Sequence, residues 1–436
     1  MMTLVWNSRA AHRNRPSDPP EARPFITTNI LLHAINTLLV LLLIHRLTRG
    51  NLAVAAFCAA VFALHPMHVE SVVWVSERKD VLYALFFLAG LLAWSEWRRA
   101  GATLWYLATV VLFVASCLSK AMAVVFPVVL LLIDVLERRP IRSAGPWLEK
   151  LPLFAISIFF GLMALDVQSG GDFHGLLSVE RALGTTAAVA EKLPFTPMDQ
   201  FRYGAYGFDL YLLKFIAPFG LGTFHPYPEG ADRGLLFTIG PFIMIAALAA
   251  AVWSLKRGRS VFFGMGFFTV CLVLVLQFLP VGRAVMAERY TYLAYIGLAF
   301  LLGRGIDHLV REHAQRERLW TGIIIGVSAV IALVALSPGA HAGSDSGPPQ
   351  NLPPNAWPSE TIQKEQGACK VQLSEAHLEF ETMKPFGGPG GCGAPGCDRR
   401  RRGGCQALRL GRDRRPRLRR GRLLLPAHHQ DHVVRR

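Results

Sequence analysis

The chain has 436 residues, of which 52% are hydrophobic and only 17% are charged. This composition excludes an ordinary soluble domain of the same size and predicts a polytopic membrane protein. The formal net charge of +16 is concentrated at residues 399–436, which hold 14 arginines. Such a tail can hold anionic lipid or nucleic acid, but a solvated, disordered extension is favoured, and we expect no nucleic-acid partner.

Residues 1–26 form a polar leader with four arginines. They lack the short apolar core and small-residue cleavage site of a secretory signal. The first apolar segment is therefore expected to remain in the protein as a spanning helix.

Ten apolar stretches follow, each long enough, or nearly so, to cross a hydrocarbon core of about 30 Å. They predict an all-α, polytopic transmembrane bundle over residues 27–338. The segment 205–222 contains Asp209, Lys214 and Pro218, which favours an interfacial or re-entrant helix. The ten predicted spans are 27–45, 52–64, 81–97, 103–118, 121–136, 150–166, 235–255, 261–280, 290–303 and 319–337.

Cationic linkers between spans stay in the cytoplasm. If the ten spans alternate, one side receives the linkers that contain Arg46 and Arg49, Arg98 and Arg99, Arg138 to Arg142, Lys256 to Arg259, and Arg304 to Arg318. Three polar loops then share the outer face, namely 65–80, 167–234 and 281–289, together with Ser119 and Lys120. The pattern predicts the shared side and leaves the distances open.

The loop 65–80 has the highest density of polar groups, with two histidines, three acids, Arg78 and Lys79 between apolar stretches. Charged side chains at membrane depth are costly and usually face a water-filled cavity. This loop therefore predicts a functional site.

The cysteines do not indicate a metal centre. Cys58, Cys117 and Cys271 fall in apolar runs, where a buried thiol is expected. The four cysteines in the tail match no zinc-binding spacing. Whether they form disulfides is left open by the sequence. The residues indicate no cofactor and leave a requirement for a divalent metal open.

Five stretches resemble bacterial membrane proteins that join a GT-C-type glycosyltransferase bundle to tetratricopeptide repeats, relatives of the eukaryotic transmembrane and tetratricopeptide-repeat O-mannosyltransferases. The resemblance covers about residues 24–305. The stretch His65–Leu82 is specific to these proteins, and the other four support the resemblance because they occur in the same order along the chain. The stretches are Thr28–Asn36, His65–Leu82, Leu118–Met122 with Leu130–Asp134, Glu149–Phe154 and Met286–Leu293.

The resemblance implies a multi-pass enzyme of the bacterial inner membrane that moves a sugar from a polyprenyl-phosphate carrier to a hydroxyl, typically of a protein or peptide. Its expected partners are that lipid-linked sugar, the acceptor and membrane lipid. The leaving group is an anionic phosphate, so cations must meet it while a carboxylate takes the acceptor proton.

The predicted catalytic carboxylates are Glu70, Asp80 and Glu288, although Glu288 also reads as a salt-bridge partner of Arg289. Arg78 and Arg289 are the first choices for the phosphate, because a guanidinium can bind two oxygens at once. His65 and His68 are equally well read as helix-capping residues. The full predicted substrate-binding set is His65, His68, Arg78, Lys79, Lys120, His225, Arg283 and Arg289.

Two departures from the resemblance are expected to matter. Relatives carry an acidic loop after a first transmembrane helix, whereas the acids before residue 24 are Asp18 and Glu21; we expect either a late start or a lost base. Residues 339–387 hold one degenerate repeat-like segment, and 388–436 are a tail rich in Arg, Gly and Pro, which suggests disorder or a change of reading frame. The alternative function is a non-catalytic scaffold or lipid-linked-sugar binding protein of the same ancestry, with a transporter third.

Overall fold

The computed structural model describes residues 22–140, 142–168, 196–222, 225–228, 233–278, 284–311 and 315–336. The predictions for the leader up to residue 21, for Arg283, for most of the loop 167–234 and for the segments 339–387 and 388–436 lie outside these ranges. Most of the described residues are helical, which confirms the predicted helical fold.

Thirteen α-helices are described along these ranges. They are α1 Arg23–Leu47, α2 Leu52–Leu64, α3 Val69–Val73, α4 Arg78–Ala100, α5 Thr103–Ser119, α6 Phe126–Leu136, α7 Gly145–Leu148, α8 Leu151–Gln168, α9 Pro197–Ile216, α10 Gly234–Trp253, α11 Ser260–Leu272, α12 Thr291–Val310 and α13 Arg316–Leu336. Short 3₁₀ segments join several of them, at Pro66–His68, Val75–Glu77, Ala121–Val125, Ser254–Lys256 and Glu288–Tyr290.

Four helical segments in the described ranges are long and apolar enough to cross a membrane: Arg23–Leu47, Val75–Ala100, Gly234–Lys256 and Glu288–Val310. Leu52–Leu64 and Pro66–Val73 form a fifth if this pair, bent by 56°, is one broken span. Four or five spans are thus shown, against about ten predicted. Shorter apolar helices occupy four more of the predicted positions, at Thr103–Ser119, Ala121–Leu136, Leu151–Leu165 and Ser260–Leu272.

The bend after α2 has a local cause in His65 and Pro66. Proline has no backbone N–H and restricts the preceding residue to extended conformations. His65 accordingly has ψ 125°, and its Nδ1 accepts a hydrogen bond of 3.3 Å from the Met67 amide. The chain then forms short helical pieces, interrupted again at Trp74, before α4 begins. These pieces carry the polar loop 65–80.

Helix α9 begins before the segment predicted as interfacial, 205–222, and ends within it, at Ile216. A capping box at Thr196 and Asp199 fixes its start, and it packs against α10. It is not one of the four helices that meet the length and hydropathy needed for a span. The fold also adds a small antiparallel sheet to the predicted all-α bundle, because β1, His225–Pro226, pairs with β2, Ala284–Met286.

Helices α11 and α12 cross at two glycines. A Cβ atom on Gly297 would lie 2.4 Å from the Gly264 carbonyl oxygen, and one on Gly264 would lie 2.7 Å from the Gly297 carbonyl oxygen. Small residues permit backbones to approach this closely, which is how helices associate in membranes. This crossing holds α12 and the polar segment that precedes it in place.

Hydrogen bonds and ion pairs join the cationic linkers to one another, and we call this part of the bundle the basic end. Arg46 pairs with Glu96, Arg98 lies 3.2 Å from Glu149, and Arg259 donates to the Val135 carbonyl at 2.9 Å. Helices α1 and α4 run from this end to the polar loop 65–80, at what we call the site end.

A buried ion pair between Asp134 and Lys150 lies at the basic end. The exposed fractions of the two side chains are 1% and 0%, and Lys150 also lies 4.8 Å from the centre of the Trp94 ring. Asp134 and Lys150 belong to two of the stretches that carry the family resemblance. Their pairing gives those stretches a structural role away from the site end.

Candidate functional site

Arg289 is the centre of the polar contacts at the site end. It lies in the 3₁₀ turn before α12, and its Nη1 donates to Glu70 Oε1 at 2.7 Å while its backbone N donates to Glu70 Oε2 at 2.8 Å. The rings of Trp74 and Tyr290 have centres 5.4 and 5.2 Å from the guanidinium carbon, within cation–π range. Two separate segments of the chain therefore fix one guanidinium.

A second ion pair joins Asp80 at the start of α4 to Lys120 after α5. Asp80 is fully buried, and its Oδ2 also accepts a hydrogen bond of 3.2 Å from the Ser71 hydroxyl. The Lys120 ammonium lies 5.3 Å from the centre of the Tyr290 ring. Because Tyr290 borders both Lys120 and Arg289, the two ion pairs form one group.

Glu77 lies beside these two pairs and is fully buried. Neither carboxylate oxygen accepts a hydrogen bond from any residue that the structure describes. The nearest cations are Arg289 Nε at 3.5 Å and Lys79 Nζ at 3.6 Å, both measured to Oε1. A buried charge without hydrogen bonds is costly, so the charged form of Glu77 depends on the cations around it, which include Lys120.

We refer to Glu70, Glu77, Asp80, Lys120 and Arg289 as the ionic cluster. Glu77 was not among the predicted site residues. The available signal was its place as one of the three acids in the polar loop 65–80, next to Arg78.

Glu288 and His225 lie in an adjoining loop contact. Glu288 Oε1 accepts a hydrogen bond of 2.6 Å from the Gly222 amide and lies 3.5 Å from His225 Nε2. The pairing of β1 with β2 brings His225 to this position. The interpretation of Glu288 as the partner of Arg289 was wrong, because Glu70 takes that place through both of its oxygens.

Arg78 has a different environment from the ionic cluster. Its side chain is buried, with Nε donating to Asn29 Oδ1 at 2.9 Å and Nη2 donating to the Phe25 carbonyl at 2.8 Å. Asn29 Nδ2 in turn donates to the Val72 carbonyl at 3.1 Å. Arg78 thus fastens the first turns of α1 to the polar loop. Its predicted contact with phosphate stays a prediction.

The two histidines of the polar loop pack among aromatic side chains. His65 is stacked on Phe215, with ring centres 5.5 Å apart, and its Nε2 lies 3.1 Å from the Phe215 carbonyl oxygen. His68 Nδ1 lies 2.8 Å from the Phe62 carbonyl oxygen. Both side chains are buried. This packing, with the Met67 contact to His65, agrees with the capping interpretation.

The cluster has equal numbers of acidic and basic side chains when Lys79 is counted with it. Three carboxylates, of Glu70, Glu77 and Asp80, face three cations, of Lys79, Lys120 and Arg289. The cationic side chains keep some access to solvent, with exposed fractions of 40%, 12% and 20% respectively. Within the described ranges, no three or more His, Cys, Asp or Glu residues are grouped so as to hold a metal ion.

These observations define a helical membrane protein with an ionic cluster at one end of its bundle. The chain is similar to protein O-mannosyl-transferase TMTC4 of Homo sapiens, with 27% identity over 313 residues, which are 62% of this chain and 40% of that protein. The similarity to TMTC4 of Mus musculus is 26% over 363 residues, or 71% of this chain and 47% of the relative.

A shorter match, 31% identical over 145 residues, joins the chain to protein O-mannosyl-transferase Tmtc2 of Drosophila melanogaster, covering 32% of this chain and 15% of that protein. The chain thus spans less than half the length of each of these three relatives. These similarities support a relationship to that group of transferases. No family model and no solved structure matches the chain.

Proposed function

We propose that the chain transfers a sugar from a polyprenyl-phosphate carrier to a hydroxyl of a protein at the outer face of a membrane. The names of its relatives specify a mannosyl group and a protein acceptor. The observation that carries the proposal is the ionic cluster, in which Lys120 and Arg289 are held by carboxylates at the site end.

In the proposed reaction, the bond between the sugar C1 and the carrier phosphate breaks as a bond forms between C1 and the acceptor oxygen. The departing phosphate gains negative charge, which preorganised cations stabilise most when they are shielded from water. Arg289, Lys120 and the more exposed Lys79 supply those cations. The acceptor hydroxyl loses its proton to a carboxylate.

The contacts divide the predicted carboxylates by role. Glu70 and Asp80 are each bound directly to a cation, so we assign them as positioning residues for Arg289 and Lys120. A carboxylate bound to a cation is less available to accept a proton. Glu288 has the Gly222 amide and His225 as its partners, and we assign it as the base.

The proposed setting is a GT-C-like bundle in the bacterial inner membrane with ten crossings. The four candidate spans, the bent pair, the four shorter apolar helices and α13 together occupy the ten predicted positions. The contacts within the basic end and within the site end support an alternating path between two faces. A linker with one degenerate repeat-like helix pair in residues 339–387 and a solvated tail at 388–436 remain part of this proposal.

A transfer assay tests the function. Purified full-length chain in proteoliposomes is given radiolabelled polyprenyl-phosphate mannose and a Ser/Thr-containing peptide, and we expect label in the peptide. Arg289→Gln should lower the rate by about 10²–10³, as removal of a transition-state charge contact does in other enzymes. Arg257→Gln, at the basic end, is the matched control and should retain the wild-type rate.

The second candidate is a non-catalytic protein that binds the lipid-linked sugar. One observation favours it, namely that Glu70 and Asp80 are both committed to cations. The same proteoliposomes separate the two candidates. Binding alone would be supported, and transfer refuted, by three results together. Wild-type protein retains the labelled donor, Arg289→Gln loses it, and the peptide carries no label.

A further inference from the structure

A cavity of about 560 Å³, open to the surface, lies at the basic end, where α1 and α4 both terminate. It is lined by His45, Arg46, Gly50, Ser95 and Arg99. The ionic cluster is at the opposite ends of the same two helices, so this cavity is separate from the proposed transfer site.

One carboxylate orients two arginines at the cavity. Glu96 Oε1 pairs with Arg46 Nη2, and Glu96 Oε2 accepts a hydrogen bond of 2.9 Å from Arg99 Nε. Two guanidiniums around one carboxylate leave a net positive charge. The exposed fractions of 36% for Arg46 and 74% for Arg99 leave both able to contact a ligand.

Part of the cavity wall is a tight turn between α1 and α2. Arg49 and Gly50 have φ angles of 58° and 91°, in the left-handed region that favours glycine. This conformation directs the Gly50 amide to the His45 carbonyl oxygen at 2.8 Å. The turn thereby fixes His45 and Gly50 at the cavity.

Aromatic residues next to the cavity indicate its depth in the membrane. Trp97 lies two residues before Arg99, and its ring centre is 4.8 Å from that of Trp94 and 5.1 Å from that of Tyr106. Trp and Tyr are enriched at the level of lipid headgroups. The cavity also lies at the ends of two helical segments long and apolar enough to cross a membrane, Arg23–Leu47 and Val75–Ala100, and is therefore at the height where a headgroup phosphate lies.

We propose that this cavity binds the phosphate group of an anionic phospholipid. Arginine forks bind phosphate oxygens through two hydrogen bonds at once, and basic pockets between transmembrane helices hold anionic headgroups. Free inorganic phosphate shares this chemistry. The cavity's position beside the aromatic residues favours the lipid as the source.

Binding of a fluorescent phosphatidylglycerol to the purified full-length chain in zwitterionic detergent micelles tests the proposal. Arg99→Gln should weaken binding about fivefold, the effect of one arginine near a membrane surface. Arg257→Gln removes an equal charge from the same end, where the guanidinium is 4.2 Å from the centre of the Trp253 ring, and should leave binding unchanged. Phosphatidylcholine should not compete.

Ser95→Leu provides a second variant, because it adds a bulky apolar side chain to the cavity wall while it keeps every charge. It should also weaken binding, and an unchanged circular dichroism melting curve would show that the fold is intact. Equal losses in Arg99→Gln and Arg257→Gln, or unaltered binding by Ser95→Leu, would overturn the site. Displacement of the lipid by inorganic phosphate at the same concentration would overturn its assignment to a lipid.

Discussion

Replacement of Arg289 by glutamine is expected to destabilise the bundle by about 3–5 kcal/mol, the usual effect of removing one partner from a buried ion pair. The structure gives the reason. The substitution removes the Nη1 hydrogen bond to Glu70 and the contact with Glu77, while the exposed fractions of the two carboxylate side chains are only 5% and 0%. Hydrogen bonds to charged groups contribute about 1.5–3 kcal/mol each, which agrees with this range.

A double-mutant cycle separates the Glu70–Arg289 contact from other effects. Unfolding free energies of wild type, Glu70→Gln, Arg289→Gln and the double variant are measured by titration with SDS in mixed micelles, followed by near-ultraviolet circular dichroism. Because the groups touch, we expect a coupling energy of about 2 kcal/mol, within the range for residues in contact. Arg257→Gln should change stability by less than about 0.5 kcal/mol. A coupling energy near zero would refute the placement of Arg289 against Glu70.

Three further predictions concern the rest of the bundle. Gly297→Leu should destabilise the α11–α12 crossing by about 3 kcal/mol or more through overpacking, measured by the same SDS titration. Gly305→Leu is the control, because a Cβ atom there meets nothing within 4 Å, and it should change the unfolding free energy little. Lys150→Met should cost about 1.5–3 kcal/mol, the contribution of one hydrogen bond to a charged group, because Asp134 then keeps only its ion pair with Arg139 at 3.0 Å. The double variant with Asp134→Leu should recover much of that loss, and no recovery would contradict the buried pair. Burial alone would raise the pKa of the Glu149 carboxyl, but hydrogen bonds of 2.9 and 3.0 Å from Arg139 hold that pKa below its usual value. The stabilising contribution of Glu149 is therefore present above pH about 4.3 and is lost as the pH falls through the lower folded value. Unfolding free energy measured from pH 6 to pH 3 should therefore fall less steeply in Glu149→Gln than in wild type, and identical slopes would contradict the pairing.

The apolar stretches of the sequence predicted the positions of the long helices because a membrane span has few other ways to satisfy its backbone. Pro66 likewise marked the break after α2. The sequence predicted the ends of helices less well than their positions. The predicted interfacial segment, with Asp209 and Lys214, started at 205, whereas the capping box at Thr196 starts α9 earlier.

The sequence predicted that the polar loops lie on one side of the bundle, and it did not predict the contacts between them. The loops that contain Glu70 and Arg289 were placed on one face by counting spans, but these residues are 219 positions apart and their pairing depends on how α12 packs. Arg78 and Lys79 are neighbours with similar charge, yet one is buried against Asn29 and the other is 40% exposed. No pattern in the linear sequence distinguishes those two environments.

The buried pair of Asp134 and Lys150 is a second case in which the sequence did not predict where residues lie in the bundle. Both residues lie in stretches that carry the family resemblance, which pointed to the transfer reaction. Their packing under Trp94 assigns them instead to the basic end. A sequence motif therefore identified related proteins without separating residues of the site from residues that hold the helices together.

Cysteine labelling from one side of the membrane tests the central claim, that the polar segments meet on one face and the cationic linkers lie on the other. Lys79→Cys, Phe219→Cys and Arg257→Cys are made in a background whose tail cysteines are serine, and sealed vesicles of known orientation are treated with an impermeant maleimide. Lys79 and Phe219 are both exposed at the site end. The account predicts that positions 79 and 219 are labelled from the same side and position 257 from the opposite side. Labelling of positions 79 and 219 from opposite sides would contradict it.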